Sequence, residues 1–313
     1  MLGKTANGLF WMARYLERAE NTARLIETGQ RIALTRLGHS DEEWASVLKS
    51  AGVYAAFKAD NESITKEGAL DWMLRNRDNT SSIRSSIESA RQNARLVRTA
   101  ITGEVWEAVN ATYMRTTDML ARKVAERDLP AVLRAIRQNT ALVRGMINGT
   151  MMRNEIYDFP RIGTFLERAD YTARIIDVKY YVLLPSVSAV GTPIDNVHWD
   201  SILRSVSASG GFRMQYGAGG GPADIVHFLI LDRCMPRSLA FCAHELEGNL
   251  ANLNASRSEP SIAQDKVRHL QEKYLSGDVA TIFDYGLHEF VQAVLGELAE
   301  LARQIEIDFR FHE

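Results

Sequence analysis

Apolar residues recur along this chain with the period of an α-helix. Within residues 8–36, Leu16, Ala19, Ala23 and Ile26 fall on one stripe when residues are placed about 100° apart around a helix axis. The valine-rich alternation that is typical of β-strands is absent. The pattern therefore predicts an all-α protein, a multi-helix bundle. Further long helices are predicted at about 80–102, 104–126, 129–152, 236–256, 259–275 and 279–310.

One helical segment of the chain occurs twice. Residues 16–27 read LERAENTARLIE, and residues 166–177 read LERADYTARIID. A second pair of segments, 44–50 and 199–205, shares its Trp, its Leu and both Ser residues. Internal repeats of this kind indicate a duplicated structural unit. We expect two pseudo-symmetric tandem repeats that together form one compact unit. The two repeats are residues 1–154 and 155–313.

Charged and polar residues also mark the starts of matching helices. Arg77 and Asp78 precede the helix predicted from about residue 80, and Arg233 precedes the one predicted from about residue 236. Asp128 and Asp278 stand before two later helices and are expected to be N-caps. The first interpretation of the arginine-containing turns is helix capping and first-turn charge. The alternative is that backbone N–H groups and the arginine bind an anion there.

The repeated segment keeps its charges on several faces of the helix. Glu20 and Arg24, like their counterparts Asp170 and Arg174, are spaced for i,i+4 ion pairs worth about 0.2–0.5 kcal/mol each. Packing explains the repeated apolar residues, and these ion pairs explain part of the repeated charge. The Glu-Arg dipeptide that precedes each pair needs another explanation.

That dipeptide, Glu17-Arg18 in one copy and Glu167-Arg168 in the other, has two interpretations. In the structural one, both helices are buried across a pseudo-two-fold axis. Each glutamate then faces the arginine of the other copy, or each pair holds neighbouring helices, and either arrangement specifies packing. In the functional one, arginines of a polar cavity hold an anionic ligand while the glutamates position them or exchange protons. The candidates for a binding site or a structural core are Glu17, Arg18, Arg24, Arg77, Asp78, Glu167, Arg168, Arg174 and Arg233.

Composition narrows the classes of function. The 313 residues are 46% hydrophobic, with 37 Lys and Arg against 39 Asp and Glu, which disfavours nucleic-acid binding. No apolar stretch is long enough for a membrane span, and the N-terminal segment does not read as a signal peptide. Cys234 and Cys242 form neither a disulfide framework nor a zinc pattern, so a cytoplasmic location is expected. His244-Glu245 has Gly248 where a zinc site needs histidine, and no metal or other cofactor is predicted.

The doubled motif resembles that of a known family. Residues 15–24 read YLERAENTAR and residues 165–174 read FLERADYTAR, which is similar to the bacterial alpha-E domain family. The resemblance covers essentially the whole chain and implies an α-helical fold. It also implies a place beside circularly permuted ATP-grasp proteins and transglutaminase-like proteins, in a pathway that forms peptide or amide bonds. The motif residues carried over are Glu17, Arg18, Glu167 and Arg168, with Arg77 and Asp78 from the turn.

Three functions are compatible with these observations. The first is an accessory or binding protein of an ATP-grasp-linked peptide or amide pathway, which binds a partner protein, a peptide or a small anionic ligand through a centre lined by Glu and Arg. The second is an enzyme that modifies amides or peptides with the Glu/Arg cluster. The third is a purely structural helical homo-oligomer. Whether the Glu-Arg motif is closed or reaches a cavity distinguishes the first two from the third.

Overall fold

The centre of the molecule is a pair of long helices, one from each half of the chain. Helix α1 (Gly3–Ala33) packs directly against helix α8 (Glu155–Leu183). Gly163 permits this close approach, because a Cβ at this position would lie 2.3 Å from the carbonyl oxygen of Phe10. The computed structural model describes residues 2–33, 40–183, 193–255, 257 and 261–312.

Thirteen further α-helices surround this pair in the described ranges. Those that follow α1 are α2 (Ser40–Ser50), α3 (Tyr54–Asp60), α4 (Lys66–Leu74), α5 (Ile83–Leu96), α6 (Gly103–Met119) and α7 (Leu129–Thr150). Those that follow α8 are α9 (Pro193–Ser205), α10 (Ser209–Tyr216), α11 (Pro222–Ile230), α12 (Leu239–Asn254), α13 (Ile262–Tyr274), α14 (Val279–Tyr285) and α15 (Leu287–Asp308).

The helices around α1 and those around α8 make corresponding contacts. Helices α5 and α7 pack on α1, and α6 contacts both of them. Helices α12 and α15 pack on α8, and α13 contacts both of them. The short helices α2 and α9 cross over, because α2 packs on α8 and α9 packs on α1. Each long helix is therefore covered by helices from both halves of the chain.

The apolar pattern of the sequence accounts for the core between these helices. Leu16, Ala19, Ala23 and Ile26, the predicted stripe of α1, are all at most 2% exposed. Two of the four are alanines, whose small side chains let neighbouring helices approach α1. The all-α prediction is confirmed, since the part of the chain that the structure describes contains helices and turns and no strand. None of its helices is both long and apolar enough to cross a membrane.

One predicted helix and one predicted N-cap differ from the structure for identifiable reasons. The helix predicted at 279–310 is two helices, because Gly286 takes φ +94°, a left-handed value at which an α-helix cannot continue. Asp278 caps α14 as predicted by accepting a hydrogen bond from the Thr281 N–H at 2.9 Å. Asp128 makes no such bond, because its backbone is already helical. The predicted end of the first helix, residue 36, lies outside the described residues.

Candidate functional site

The Glu-Arg dipeptides of α1 and α8 pair reciprocally where the two helices meet. Arg18 donates from Nε to Glu167 Oε1 at 2.6 Å and from Nη2 to Oε2 at 3.0 Å. Arg168 donates in the same way to Glu17, at 3.0 Å from Nε and at 3.3 Å from Nη2. Both pairs are bidentate, the geometry in which a guanidinium matches a carboxylate. Each glutamate therefore faces the arginine of the other copy, as the structural interpretation requires.

The pair at Glu17 belongs to a buried cluster, which we call the closed centre. Glu17 and Glu20 are each 1% exposed. Arg144 of α7 donates to both carboxylates. Arg237, just before α12, lies 3.1 Å from the Glu17 carboxylate and 2.7 Å from that of Glu20. The closed centre consists of Glu17, Glu20, Arg24, Arg144, Arg168 and Arg237.

In the closed centre, every guanidinium nitrogen of Arg24 and of Arg168 donates a hydrogen bond to a protein oxygen. Arg24 donates from Nε and Nη2 to the glutamate one turn earlier. Its Nη1 donates to the Ser207 hydroxyl at 2.6 Å and to the Ser205 carbonyl at 3.3 Å. The Nη1 of Arg168 donates to the carbonyl of Pro236 at 3.2 Å. All three nitrogens of both guanidiniums thus have protein acceptors.

Burial and charge oppose each other in the closed centre. Burial raises the pKa of Glu17, but the charges of three neighbouring guanidiniums outweigh it and hold this pKa well below its ordinary value. Burial also lowers the pKa of Arg237 to about 10, with help from the like charges of Arg168 and Arg24. A network of this kind, with each charge held by a partner, specifies how the helices pack.

The pair at Glu167 lies instead beside a cavity of about 500 Å³, which we call the arginine cavity. Its wall includes residues of α1 and α8, the end of α2, and α15. Arg14 adds a second donor to Glu167, from Nε to Oε2 at 2.9 Å. Arg174 pairs with Asp170, at 2.7 Å from Nε and at 3.2 Å from Nη2. The side chains of the acid-paired arginines on this wall range from 12% exposed for Arg14 to 36% for Arg174, and Arg303 is exposed, so solvent reaches the cavity.

Several N–H groups of the three acid-paired arginines of the cavity have no acceptor in the described protein. These groups are Nη1 of Arg18, Nη1 of Arg174 and both Nη groups of Arg14. The guanidinium of Arg14 lies over the ring of Trp11, 4.7 Å from its centroid, which keeps it in place. The cavity therefore holds three guanidiniums whose donors are only partly used.

One buried hydroxyl on the same wall lacks a partner among the described residues. The Ser50 hydroxyl makes no hydrogen bond there, although Ser50 lines the cavity and is 3% exposed. The Tyr171 hydroxyl is also without a described partner, but it lies near Arg24, Arg237 and Glu20 of the closed centre. Buried polar groups nearly always have a hydrogen-bond partner, so the orphaned Ser50 hydroxyl on the cavity is unusual.

The turn after α2 places its backbone against the guanidinium of Arg174. The N–H of Val53 bonds to the carbonyl of Leu48, and that of Gly52 bonds to Lys49, the two bonds of a Schellman motif. Gly52 takes φ +71°, and a Cβ there would lie 3.1 Å from Nη1 of Arg174. The matching turn after α9 has Ser207 at φ +55° in this position, and its hydroxyl accepts from Arg24.

The nine candidate residues fall into three groups. Glu17, Arg24 and Arg168 lie in the closed centre, whereas Arg18, Glu167 and Arg174 line the arginine cavity. The third group does not join them: Arg77, Asp78 and Arg233 have exposed side chains and are not part of the cavity wall. Their turns serve the helices that follow, with Ser82 and Ser238 as the N-caps that bond to the first turn.

Sequence reasoning missed three arginines that complete the site, Arg14, Arg144 and Arg237. The repeat drew attention to residues that occur in both halves, and these arginines do not. Ser81 and Arg237 illustrate this, since each immediately precedes a matching N-cap serine and only one of them is charged. The signal that could have found Arg237 is an arginine beside a helix N-terminus in an otherwise apolar context, and it is weak.

The cavity is equipped for binding anions. Burial raises the pKa of Glu167, but the charges of Arg18 and Arg14 outweigh it and lower the pKa to about 2, so the carboxylate is a poor proton acceptor at neutral pH. The charge of Glu167 in turn outweighs burial and raises the pKa of Arg18 above its ordinary value. The described wall contains no histidine, cysteine or lysine. Nor do the described residues include a group of three metal-ligating side chains.

Fold and site together define a class of protein: an all-helical domain organised around two reciprocally paired Glu-Arg motifs. The sequence model of one family, Alpha-E, matches residues 1–309. Its description is a predicted alpha-helical domain with a conserved ER motif. The chain belongs to the Alpha-E family. No curated protein and no solved structure matches the chain.

Proposed function

We propose that this protein is an accessory, non-catalytic binding protein of an ATP-grasp-linked pathway that forms or modifies peptide or amide bonds. The arginine cavity holds its ligand, an anionic peptide or another small anion of that pathway. One observation carries the proposal: Arg14, Arg18 and Arg174 keep unused N–H donors around a single cavity. The pathway itself, with a circularly permuted ATP-grasp protein and a transglutaminase-like protein as partners, rests on the resemblance to the family.

The chemistry of the cavity favours an anionic ligand. Charge-assisted hydrogen bonds from guanidinium to carboxylate are about twice as strong as those between neutral groups. Arginine is more weakly hydrated than lysine, so less is lost when a ligand replaces water around it. The cavity volume of about 500 Å³ falls in the range typical of small-molecule sites. A ligand the size of a short peptide therefore suits it.

Binding accounts for the cavity better than catalysis or scaffolding does. A general base needs a pKa near the working pH, whereas the pKa of Glu167 is lowered to about 2. A purely structural role accounts for the closed centre, in which charges satisfy one another. It leaves the unused donors of Arg18 and Arg174 and the orphaned hydroxyl of Ser50 without an explanation. A ligand with oxygen acceptors explains these groups together.

The proposal includes a duplicated architecture of two pseudo-symmetric tandem repeats, residues 1–154 and 155–313. The corresponding contacts of α1 and α8 with their surrounding helices support it. So do the matching turns at Gly52 and Ser207, both with positive φ after a short helix. Because α2 and α9 each pack on the long helix of the other repeat, the two repeats are inferred to fold as one unit.

We place this function in the bacterial cytoplasm, together with the ATP-grasp partner. Cys234 and Cys242 are both free thiols, and Cys234 is exposed. An exposed thiol persists in a reducing compartment, where disulfides are rare. Burial raises the pKa of Cys242 to about 12, so this thiol is not a reactive one.

The test is reconstitution with the proposed partner, a circularly permuted ATP-grasp protein. We expect the two proteins to copurify and product formation to fall when this chain is omitted. The Arg174→Gln variant should fold and yet restore less product than the wild type, because it removes donors from the cavity. Arg204→Gln is the matched control, since Arg204 also pairs with an aspartate one turn earlier but lies at the surface. Full product formation without this chain would refute the accessory role.

A further inference from the structure

The closed centre provides a template for what the arginine cavity binds. Arg24 and Arg174 occupy matching positions of the repeated motif, and both pair with the acid one turn earlier. On Arg24, Nη1 donates to two further oxygens, the Ser207 hydroxyl and the Ser205 carbonyl. On Arg174, the same nitrogen has no acceptor among the described residues, because Gly52 stands where Ser207 stands in the other turn. A ligand oxygen is the natural equivalent of the Ser207 hydroxyl.

The second pair of matching arginines shows the same difference. Arg168 completes its hydrogen bonds with the backbone carbonyl of Pro236 through Nη1. Arg18 uses Nε and Nη2 on Glu167, as Arg168 does on its own glutamate, and its Nη1 is unused. The template therefore calls for oxygen acceptors beside two guanidiniums of the cavity.

We infer that the arginine cavity binds one carboxylate, the C-terminal carboxylate of a short peptide, shared between Arg18 and Arg174. The peptide nature of the ligand rests on the proposed function, whereas the carboxylate rests on the cavity itself. Arg18 and Arg174 line the same cavity, so their like charges repel each other. Burial and the charge of Arg18 lower the pKa of Arg174, but the charges of Asp170 and Glu167 outweigh them and raise it. An anion held between them relieves this repulsion.

The charge of the wall matches a single carboxylate. Three arginines, Arg14, Arg18 and Arg174, face two acids, Glu167 and Asp170, which leaves one positive charge. Arg303 and Glu306 of α15 also line the cavity, and their opposite charges cancel. A monoanion neutralises the cavity, whereas a phosphate dianion would leave it negative.

The orphaned hydroxyl of Ser50 completes the site. A carboxylate accepts up to about four hydrogen bonds, more than two guanidinium nitrogens supply. Ser50 lines the cavity at the end of α2, and its buried hydroxyl has no partner in the described protein. Rotation of this short side chain lets the hydroxyl donate to a carboxylate or to the adjacent peptide carbonyl.

The other residues of the cavity wall suit a peptide with apolar side chains. Trp11, Val53, Met73 and Leu298 line the cavity together with the charged groups. Apolar surface buried on binding contributes about 25 cal/mol per Å² before the costs of association. A C-terminal residue with an apolar side chain would use both parts of the wall.

Calorimetric titration of the purified full chain with two probes tests this inference. The probes are N-acetyl-alanyl-leucine and its C-terminal amide, which differ only in the carboxylate. We expect the acid to bind at least about tenfold more tightly than the amide, the effect of losing a charge-assisted hydrogen bond. Equal binding of acid and amide, or no binding of the acid at millimolar concentration, overturns the inference. Inorganic phosphate is the third probe, and binding tighter than that of the acid overturns the choice of a carboxylate.

Two variants separate a binding role from a structural one. Ser50→Ala removes a hydroxyl that has no partner in the protein, so it should leave the midpoint of thermal unfolding unchanged and weaken binding of the acid. Ser205→Ala is the control, because its hydroxyl already donates to the carbonyl of Ile202. Arg174→Gln should weaken binding of the acid about tenfold or more and leave the amide unaffected. Unchanged binding of the acid by both Ser50→Ala and Arg174→Gln overturns the assignment.

The result of the peptide titration does not depend on the result of the reconstitution with the ATP-grasp protein. The titration uses this chain alone, so the carboxylate site stands if the acid binds and the ATP-grasp protein does not copurify. The accessory role stands if product formation depends on the chain and neither dipeptide distinguishes wild type from Arg174→Gln. Each failure therefore points to one proposal.

Discussion

The closed centre and the arginine cavity are built from the same motif and have opposite properties. In both, a glutamate accepts a bidentate pair of hydrogen bonds from the arginine of the other long helix. Around Glu17, Arg144 and Arg237 add further donors, and the Glu17 side chain is 1% exposed. Around Glu167, α15 contributes Leu298 and two alanines to the wall, and a cavity remains. Residues outside the repeated motif thus decide whether the motif closes.

This difference shows where function can reside in a protein that carries one motif twice. A motif present in both halves can serve packing in one half and binding in the other without changing itself. Small changes around it suffice, such as Gly52 in one turn and Ser207 in the other. Four predictions test how far the two regions differ, in order of decreasing effect.

The largest effect is expected from removing one glutamate charge in each region. Glu17→Gln leaves buried guanidiniums without their acceptor and should lower the free energy of unfolding by about 3–5 kcal/mol. Glu167→Gln should cost less, about 1.5–3 kcal/mol, because water in the cavity can solvate Arg18 and Arg14. Urea denaturation of both variants measures the difference. Equal losses of unfolding free energy would show that the pair at Glu167 is as shielded from water as the pair at Glu17.

A smaller effect is expected from the matching arginines Arg24 and Arg174. Arg24→Gln removes hydrogen bonds at all three nitrogens in a buried setting and should cost about 2–3 kcal/mol. Arg174→Gln removes a half-exposed i,i+4 pair and should cost at most about 1 kcal/mol. Urea denaturation of Arg24→Gln and Arg174→Gln measures the two losses. A greater loss for Arg174→Gln would contradict the assignment of open and closed regions.

Acid should destabilise the protein through both glutamates. Glu17 and Glu167 have lowered pKa values in the folded state, because their arginine partners outweigh burial. Their contribution to stability is therefore fully present above the ordinary glutamate pKa of 4.5 and is lost as pH falls toward the folded-state pKa, about 2 for Glu167. Unfolding midpoints measured from neutral pH to pH 3 check this. Glu167→Gln should show a shallower decline, and an equal slope would argue against the assigned pKa.

The smallest effect on stability is expected from replacing Gly52 with serine, the residue that the matching turn has at position 207. Gly52→Ser introduces a hydroxyl for Arg174 in the arrangement that Ser207 has with Arg24, at the cost of a left-handed backbone for a non-glycine residue. Stability should change by no more than about 1 kcal/mol, whereas binding of the acid probe should be lost. Gly52→Ala is the control for added bulk without a hydroxyl. Retained binding in Gly52→Ser would show that Arg174 does not need its free donor.

Much of the fold follows from local pattern. The stripe of Leu16, Ala19, Ala23 and Ile26 predicted a buried helix face, because a period of about 3.6 residues leaves few other solutions. In one of the interpretations of the Glu-Arg repeat each glutamate faces the other copy's arginine, and these contacts are present. The break at Gly286 was not predicted, since a single glycine is tolerated in many helices and only its φ of +94° ends this one.

The candidate site was predictable only in part. The motif named Arg18, Glu167 and Arg174, and these residues line the cavity. Nothing in the pattern distinguished them from Glu17, Arg24 and Arg168, which occupy the same positions of the repeat and have side chains at most 11% exposed. The residues that make the distinction come from α7, α12 and α15, far away along the chain. Sequence spacing carries no information about which of them reach the centre.

By itself, the sequence determined that this protein is all-helical, that its two long helices carry one motif twice, and which charges those helices present. Helical period and repetition are local properties, and they can be read without knowing the neighbours. The tertiary structure alone decided that one motif is closed and the other borders a cavity. Burial and charge neutralisation depend on the sum of side chains that converge in space, and here that sum includes Arg144 and Arg237 on one side and Gly52 on the other.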